Sequence, residues 1–310
     1  MSNRSGAVED TLKYFHQRKA FAKGLAEQRG CDRQLCFALS GLFLEGEGYE
    51  FPAVAVLRKV EQPPGEIELA KALQHKGLLS AVARHMRSVT YELALAYDED
   101  CFSQANMDMG WWLISALRTR SLADILVPAV ADISWDIIPA MQADRCRVQL
   151  IEDVPRARRY GDKVTVTDSN LNWVRDHLTN WISLLEHPSF RLGVDALTTH
   201  SQHANLRMSA ASLWSGFEAL FSINAELRFR LALLTAAYLE ERGTGRLDLF
   251  KRMKKLYDYR SKAVHGSPTT DGKLEEHIVE VRGLLSRLLC KMTEQGTVPS
   301  SEEFEAYLLT

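Results

Sequence analysis

A mainly α-helical protein of two domains is the fold class that the sequence predicts. Apolar residues recur at steps of three and four through most of the chain, for example over residues 274–294. β-prone pieces bounded by prolines, such as RVQLI and KVTVT, are concentrated between residues 121 and 166. A length of 310 residues favours two domains over one. We therefore predict a mostly helical N-terminal domain with a few short strands over residues 1–165, followed by a helical bundle over residues 166–310.

In the N-terminal domain, the apolar period predicts helices over residues 8–28, 66–95 and 107–120, the second range holding two helices in succession. Residues 53–60, AVAVLRKV, are apolar but too few for periodicity to separate a strand from a buried helix. Regulation or the binding of a partner is the role expected of this domain, and none of its residues identifies which.

The C-terminal domain opens with Thr167, Asp168 and Ser169, residue types that cap the start of a helix. The helix that follows is predicted to end at residue 187, ahead of a proline. Six more helices are predicted, over residues 189–199, 205–221, 226–241, 248–266, 274–294 and 302–309.

The charge balance excludes a uniformly basic surface of the kind that binds nucleic acids through net charge alone. Lys and Arg number 38 against 40 Asp and Glu, which gives a formal net charge of −2. Any contact with nucleic acid must therefore come from a local patch. The five cysteines form no C-x2-C pair, so we expect a reducing compartment and no zinc site.

Membrane and metal sites are not expected either. Residues 122–141 are the most apolar candidate for a span, but three aspartates and two prolines interrupt them. The start of the chain lacks an apolar run behind a basic stretch, so we expect a cytoplasmic protein without a membrane partner. His200 and His203 lie in a polar turn without a carboxylate or cysteine at a useful spacing, so no metal ligands are expected there.

A predicted helix near the C-terminus, DLFKRMKKLYDYRSKAVHG, concentrates polar chemistry at its end. Gly266 marks that end, because a glycine adopts the left-handed conformation past a helix at little cost. His265 then lies in the last turn, where the helix dipole favours an imidazolium and the ring can titrate near neutral pH. Tyr257 and Ser261 precede it at four-residue steps on one face, with Arg260 beside them.

The string LYDYRSKAVHG, with four residues between Arg260 and His265, resembles the R-x4-6-H signature of the HEPN superfamily. The serine after the arginine and the glycine after the histidine resemble its Apea-like branch. Upstream, LWSGFEALFS resembles the family's earlier core helix, in which a glutamate, here Glu218, follows a tryptophan and precedes a short apolar run. The resemblance covers roughly the C-terminal half of the chain and implies that the predicted bundle is HEPN-like.

What the resemblance implies is a metal-independent endoribonuclease. In such an enzyme the 2′-OH of the RNA attacks the adjacent phosphate, with histidine as acid or base and arginine as the phosphate ligand. These two catalytic roles are implied for His265 and Arg260. The supporting residues are expected to be Ser261, Glu218, Tyr257 and Asp258.

One chain supplies one such imidazole, so the resemblance also implies a homodimer in which two signature helices face each other across one cleft. RNA is then the substrate and no cofactor is required. Relatives with the catalytic motif often act as toxins or as effectors of defence against phage. That adds an antitoxin or a defence-system protein as a further partner.

A basic flank precedes the signature arginine and could serve the phosphates of an RNA strand. A run of charge is also the ordinary composition of a solvated helix face. The residues of this flank, with one lysine beyond the arginine, are Lys251, Arg252, Lys254, Lys255 and Lys262.

Two other interpretations remain open. Arg260 and Glu218 could form a partly buried ion pair that only braces two helices, with His265 as a helix cap. The bundle could also be a non-catalytic HEPN module that binds RNA, a nucleotide or a partner protein, because branches of the superfamily lack nuclease activity.

Overall fold

The chain is described here by a computed structural model, whose described residues are 3–29, 33–97, 100–152, 160–222, 226–264 and 268–309. Within them lie eleven α-helices and one antiparallel sheet of six strands. The predicted fold class, mainly helical with some strands, is confirmed at this level. Contacts divide the chain into a first unit, residues 1–111 with 125–153, and a second unit, residues 112–124 with 154–310. The predicted domain boundary after residue 165 stays a prediction.

The first unit is built around the sheet, whose strands lie in the order β2-β3-β4-β1-β5-β6. Two short 3-10 turns, at Lys76–Leu78 and Ile138–Ala140, connect its elements. The elements are α1 (Asn3–Arg29), β1 (Gln34–Ser40), β2 (Gly48–Phe51), β3 (Ala55–Lys59), α2 (Glu66–Ala72), α3 (Leu79–Met86), β4 (Val89–Ala96), β5 (Ala129–Ala131), β6 (Val148–Leu150) and the first part of α4 (Gln104–Ser121), a helix whose residues from 112 onward belong to the second unit.

Strand β1 lies in the middle of the sheet because it is apolar on both faces. On one face the small side chains of Cys36 and Ala38 join a core cluster that Trp135 fills. On the other face, the ring of Phe37 lies against helix α4 at Gly110, where a Cβ atom would stand only 2.2 Å from the ring. Only glycine lets the helix approach this closely.

The helical prediction for residues 66–95 is wrong at its end. Helices α2 and α3 form, but Val89–Ala96 is strand β4, paired with β1 on one side and β3 on the other. Its opening residues, VTY, are β-branched or aromatic and favour a strand. Its one carboxylate, on Glu92, accepts a 2.6 Å hydrogen bond from Nε of Arg58 on β3. Residues 53–60, which periodicity left undecided, contain strand β3.

Two further predictions concern the connecting region. RVQLI contains strand β6, as expected, but KVTVT contains no strand. Its last residue, Thr167, instead caps the next helix: its side chain accepts a hydrogen bond from the backbone N–H of Asn170. The helices predicted over residues 8–28 and 107–120 are confirmed as parts of α1 and α4.

The second unit contains the seven predicted C-terminal helices. Helix α9 begins four residues earlier than expected and is described as far as Val264. Their bounds are α5 (Asp168–Leu184), α6 (Pro188–Thr199), α7 (Leu206–Phe221), α8 (Leu227–Leu239), α9 (Thr244–Val264), α10 (Asp271–Gln295) and α11 (Ser301–Leu309).

Helix α10 runs through the core of this unit and contacts α5 to α9. Its buried residues recur at three- and four-residue steps, which is the stripe of a central helix. Helices α6 and α7 approach closely at Gly216, where a Cβ atom would lie 2.9 Å from Cβ of Ala196. Helices α8 and α9 pack side by side, and this arrangement brings the end of α9 against α7 and α10.

Candidate active site at the end of helix α9

Arg260 lies on the inner face of helix α9. At 100° per residue it shares this face with Met253, Leu256 and Ala263, all of which are buried. The side chain of Arg260 is 21% exposed. A guanidinium so placed is held by the packing of the helix, and its tip reaches the neighbouring helix α7.

The partner of Arg260 on helix α7 is Glu218. Nη2 of Arg260 lies 3.2 Å from Oε1 of Glu218, whose side chain is 27% exposed. The pair is incompletely hydrogen-bonded: Nε of Arg260 and Oε1 of Glu218 are both buried atoms without a well-formed hydrogen bond. Buried polar atoms of native proteins nearly always find partners, so these two atoms have hydrogen-bonding capacity left for water or for a bound group.

Tyr257 lies beside the arginine, one helical turn before it. The guanidinium carbon of Arg260 is 5.5 Å from the centre of the Tyr257 ring, a cation–π distance. On its other side the ring meets Trp214 edge-to-face at 5.3 Å. Burial raises the pKa of the Tyr257 hydroxyl; the nearby Arg260 opposes this rise and Glu218 adds to it. The phenol is therefore neutral at physiological pH.

Helix α10 contributes a histidine that the sequence did not single out. His277 is only 4% exposed, and its Nε2 accepts a 3.0 Å hydrogen bond from Nε1–H of Trp214. The ring of Tyr259 lies 4.9 Å away. Burial lowers the pKa of His277 to about 4. The imidazole is consequently neutral with its proton on Nδ1, an atom that has no hydrogen-bond partner.

The signal that could have identified His277 is its position in the sequence. It lies between Leu274 and Val281, in the apolar stripe of helix α10, where a polar residue needs a buried partner. That partner, Trp214, is 63 residues away and is itself part of the LWSGFEALFS string.

Two hydrogen bonds fix the last described turn of α9. The guanidinium of Arg207, in the first turn of α7, donates to the backbone carbonyl of Ala263. The hydroxyl of Tyr259 hydrogen-bonds that of Thr269. A cation near the C-terminal end of a helix also interacts favourably with the helix dipole. The turn that precedes His265 is therefore held against α7.

His265 itself lies outside the described residues, as does Gly266. The predicted relation between Arg260 and the signature histidine therefore stays a prediction. Ser261, the residue after the arginine, is partly exposed.

Asp258, predicted as a supporting residue, lies away from the arginine. Two residues along a helix turn by 200°, so Asp258 and Arg260 point to opposite sides of α9. Its carboxylate accepts a 2.7 Å hydrogen bond from Nη2 of Arg228 at the start of α8. We therefore assign Asp258 to the α8–α9 contact.

Three of the predicted RNA-binding residues share the face of α9 opposite Arg260: Lys251, Lys255 and Lys262 are exposed there. Arg252 is also exposed, but it forms a 2.5 Å hydrogen bond with Glu280 on α10 and is thus charge-compensated. Lys251, Lys255 and Lys262 therefore point away from Arg260 within one chain.

Lys254, the fifth predicted RNA-binding residue, lies on the flank of α9 between these two faces. Its ammonium group is 5.1 Å from the centre of the Phe250 ring. Phe250 in turn meets the half-exposed ring of Phe229 edge-to-face at 5.8 Å.

A second ionic cluster lies in the first unit. Glu92, fully buried, accepts hydrogen bonds from Arg58 (2.6 Å) and from the hydroxyl of Ser134 (2.7 Å). Nη1 of Arg29 lies 3.7 Å from both Glu92 and Asp136. Burial raises the pKa of Asp136. Two carboxylates and two guanidiniums balance each other, so we assign this cluster to the stability of the unit.

The chain matches no known family model, curated protein or solved structure.

The described residues hold neither a candidate metal site nor a candidate membrane span. No three His, Cys, Asp or Glu side chains are grouped there as a metal site requires. No helix in this part of the chain is both long and apolar enough to cross a membrane.

Proposed function

We propose that this protein is a metal-independent endoribonuclease of the HEPN type and of its Apea-like branch. The observation that carries the proposal is the incompletely hydrogen-bonded pair of Arg260 and Glu218 between helices α7 and α9. These are the two positions at which the resemblance requires the arginine and the glutamate. The side chain of Arg260 is 21% exposed, so its guanidinium can contact a phosphate oxygen while Glu218 remains beside it. On this proposal the helices of the second unit form an HEPN-like bundle.

The proposed reaction is transesterification within the RNA. A base removes the proton of the 2′-OH, whose oxygen forms a bond to the adjacent phosphorus. The bond from phosphorus to the 5′-oxygen breaks, and an acid protonates that oxygen. The products are a 2′,3′-cyclic phosphate and a 5′-OH. His265 acts as the acid or base, and Arg260 stabilises the charge of the phosphorane. Glu218, Tyr257 and Ser261 hold the arginine in place.

A homodimer is part of the proposed mechanism. Two proton transfers are required, and each chain supplies one signature histidine. Two copies that pack with their α9 ends facing supply two histidines and two arginines to one cleft. The exposed lysines on the far face of each α9 then contact phosphates farther along the same RNA. Their positive charge attracts the polyanion.

Toxin activity or defence against phage is the proposed biological role, in the cytoplasm, with an antitoxin or another defence-system protein as a further partner. The support is the resemblance of the second unit to that branch. The first unit would then sense a trigger or restrain the nuclease.

A non-catalytic RNA-binding module is the second candidate, and one observation favours it. Lys251, Lys255 and Lys262 are exposed on the face of α9 opposite Arg260. RNA bound to that face of a single chain does not reach the arginine, which would then remain a brace paired with Glu218.

Cleavage of a mixed RNA pool in the presence of EDTA tests the proposal. We expect the wild type to cut, with cyclic-phosphate ends, and expect His265→Ala and Arg260→Lys to lose the activity. The matched control is His187→Ala, because His187 is an exposed histidine at the start of α6. Lack of cleavage by a confirmed dimer, with RNA binding retained, would select the binding module. Cleavage that survives His265→Ala would mean that the active site lies elsewhere.

A further inference from the structure

The first unit contains a pocket of about 480 Å³ that the proposed nuclease reaction does not use. It lies between the loop that precedes helix α2 and one face of helix α3. Its volume is within the range of about 300–1,000 Å³ that is usual for small-molecule sites. The described residues that line it are Pro63, Pro64, Gly65, Glu66, Ser80, Ala83, Arg84, Met86 and Arg87.

The α3 wall of the pocket carries two positive charges. Ser80, Ala83, Arg84 and Arg87 stand at positions i, i+3, i+4 and i+7, which form a single helix face. Both arginines are exposed residues, so an incoming ligand can reach this face of the helix. Two guanidiniums three residues apart on one face suit a group with several anionic oxygens, because each presents its N–H donors as a fork.

The opposite wall is held rigidly before any ligand arrives. The N–H of Gln62 donates to Asp136 at 2.7 Å, and the carbonyl of Pro63 accepts from Nη2 of Arg18 at 2.8 Å. The N–H of Gly65 donates to Oε2 of Glu68 at 2.8 Å. Two successive prolines restrict the backbone between these points. A wall fixed in this way loses little entropy when a ligand binds, which favours affinity.

The remaining lining determines which anion fits. Pro63, Pro64, Ala83 and Met86 give the pocket an apolar side, which would contact a ring or another apolar group of the ligand. The carboxylate of Glu66 stands at the same pocket and can accept from a hydroxyl or amino group. An inorganic anion would contact only the guanidiniums and would leave the apolar side of the pocket exposed to water.

We propose that this pocket binds a phosphorylated small molecule of mononucleotide size, with its phosphate on Arg84 and Arg87. The inference goes beyond the proposed nuclease and does not rest on it. Binding is measured directly, so a negative result here leaves the nuclease proposal unaffected, and the reverse is also true.

Calorimetric titration of the full chain tests the inference. The probes are AMP, GMP, CMP and UMP, with adenosine as the probe that lacks a phosphate. We expect at least one nucleotide to bind, with an affinity at least about tenfold above that of adenosine. Absence of binding by all four at about 1 mM would overturn the proposed ligand class. Equal affinity for AMP and adenosine would overturn the phosphate site.

Three variants locate the binding. Arg87→Gln removes one guanidinium, and Ala83→Leu fills the pocket while both charges remain. We expect each to weaken nucleotide binding at least about tenfold. Arg145→Gln, an exposed arginine outside the pocket, is the matched control and should leave the affinity unchanged. Unchanged affinity in both Arg87→Gln and Ala83→Leu, with wild-type melting temperatures, would place the nucleotide elsewhere.

Discussion

The indole N–H of Trp214 donates a 3.0 Å hydrogen bond to Nε2 of His277, and the planes of the two rings lie within 21° of parallel. This contact fixes the imidazole as a neutral acceptor inside the bundle. Trp214 also packs edge-to-face on Tyr257, whose ring lies at cation–π distance from the guanidinium of Arg260. The neutral histidine therefore supports, through two aromatic rings, the arginine of the candidate site.

Protonation of buried histidines should destabilise the second unit below neutral pH. Burial lowers the pKa of His277 and of His200 to about 4, against 6.5 for an unfolded histidine. Between these values the unfolded chain binds more protons, so stability falls as pH decreases from about 6.5 to about 4. The slope is at most about 1.4 kcal/mol per pH unit for each histidine. Above pH 7 neither histidine makes the free energy of unfolding depend on pH.

Melting temperatures between pH 7.5 and 4.5 measure this dependence. Glutamine at position 277 can still accept from the indole but does not titrate near these pH values, so His277→Gln should flatten the curve between pH 6.5 and 4.5. The exposed residue His187 provides the control variant His187→Gln, which should keep the wild-type slope. An unchanged slope in His277→Gln would contradict the assignment of a neutral buried imidazole.

Helices with a full apolar stripe could be predicted from the sequence, and one central strand could not. Helix α10 repeats its apolar residues through six turns, whereas β4 is eight residues long and follows a helix directly. Its Glu92 breaks the apolar run, and the buried carboxylate is stabilised by partners from elsewhere in the fold, among them Arg58 on the neighbouring strand and Ser134. A partner 34 residues away is supplied by the tertiary fold and not by the local pattern.

Part of the candidate site could be predicted from the sequence, and part could not. The pairing of Arg260 with Glu218 could be anticipated, because both residues belong to strings with recognisable spacing. The aromatic chain through Trp214 to His277 could not, since a histidine in an apolar stripe has no distinctive local pattern. The opposite orientation of Asp258 follows from helix geometry alone, and counting residues along α9 would have revealed it.

Removal of the charge on Glu218 should have opposite effects on RNA binding and on catalysis. Glu218→Gln keeps the shape of the side chain but frees the guanidinium of Arg260 from its counter-charge and removes a carboxylate that repels phosphate. We expect KM for RNA to fall. We expect kcat to fall as well, by about tenfold, because the arginine is no longer held in one position. Steady-state cleavage of a defined RNA measures both.

Asp258→Asn is the control for this experiment. It removes a carboxylate that is 44% exposed, against 27% for Glu218, on the side of α9 opposite Arg260, where the partner is Arg228. Its cleavage parameters should stay close to those of the wild type. Loss of stability in Glu218→Gln without any change in KM would instead support the interpretation of Arg260 and Glu218 as a structural brace.

The exposed lysines of α9 should govern the salt dependence of RNA binding. In a His265→Ala background, Lys251→Gln and Lys255→Gln should each reduce the slope of log K against log salt by about 0.7 for single-stranded RNA. Arg252→Gln should have a smaller effect, because Glu280 already compensates that charge. Filter binding at several salt concentrations gives the slopes. Equal slopes in all four proteins would exclude this face as the RNA contact.

The ionic cluster of the first unit should tolerate the loss of its central carboxylate poorly. Glu92→Gln keeps the volume but leaves Arg58 and Arg29, which are 16% and 20% exposed, with only one carboxylate between them. Uncompensated buried charge costs about 3–5 kcal/mol, so a large decrease in melting temperature is expected. The matched variant is Glu50→Gln, on edge strand β2 of the same sheet, where the side chain is exposed and the effect should be small. Equal melting temperatures for the two variants would show that water or a rearranged arginine replaces the lost charge. The ionic cluster would then not be what holds β3 and α1 to β4.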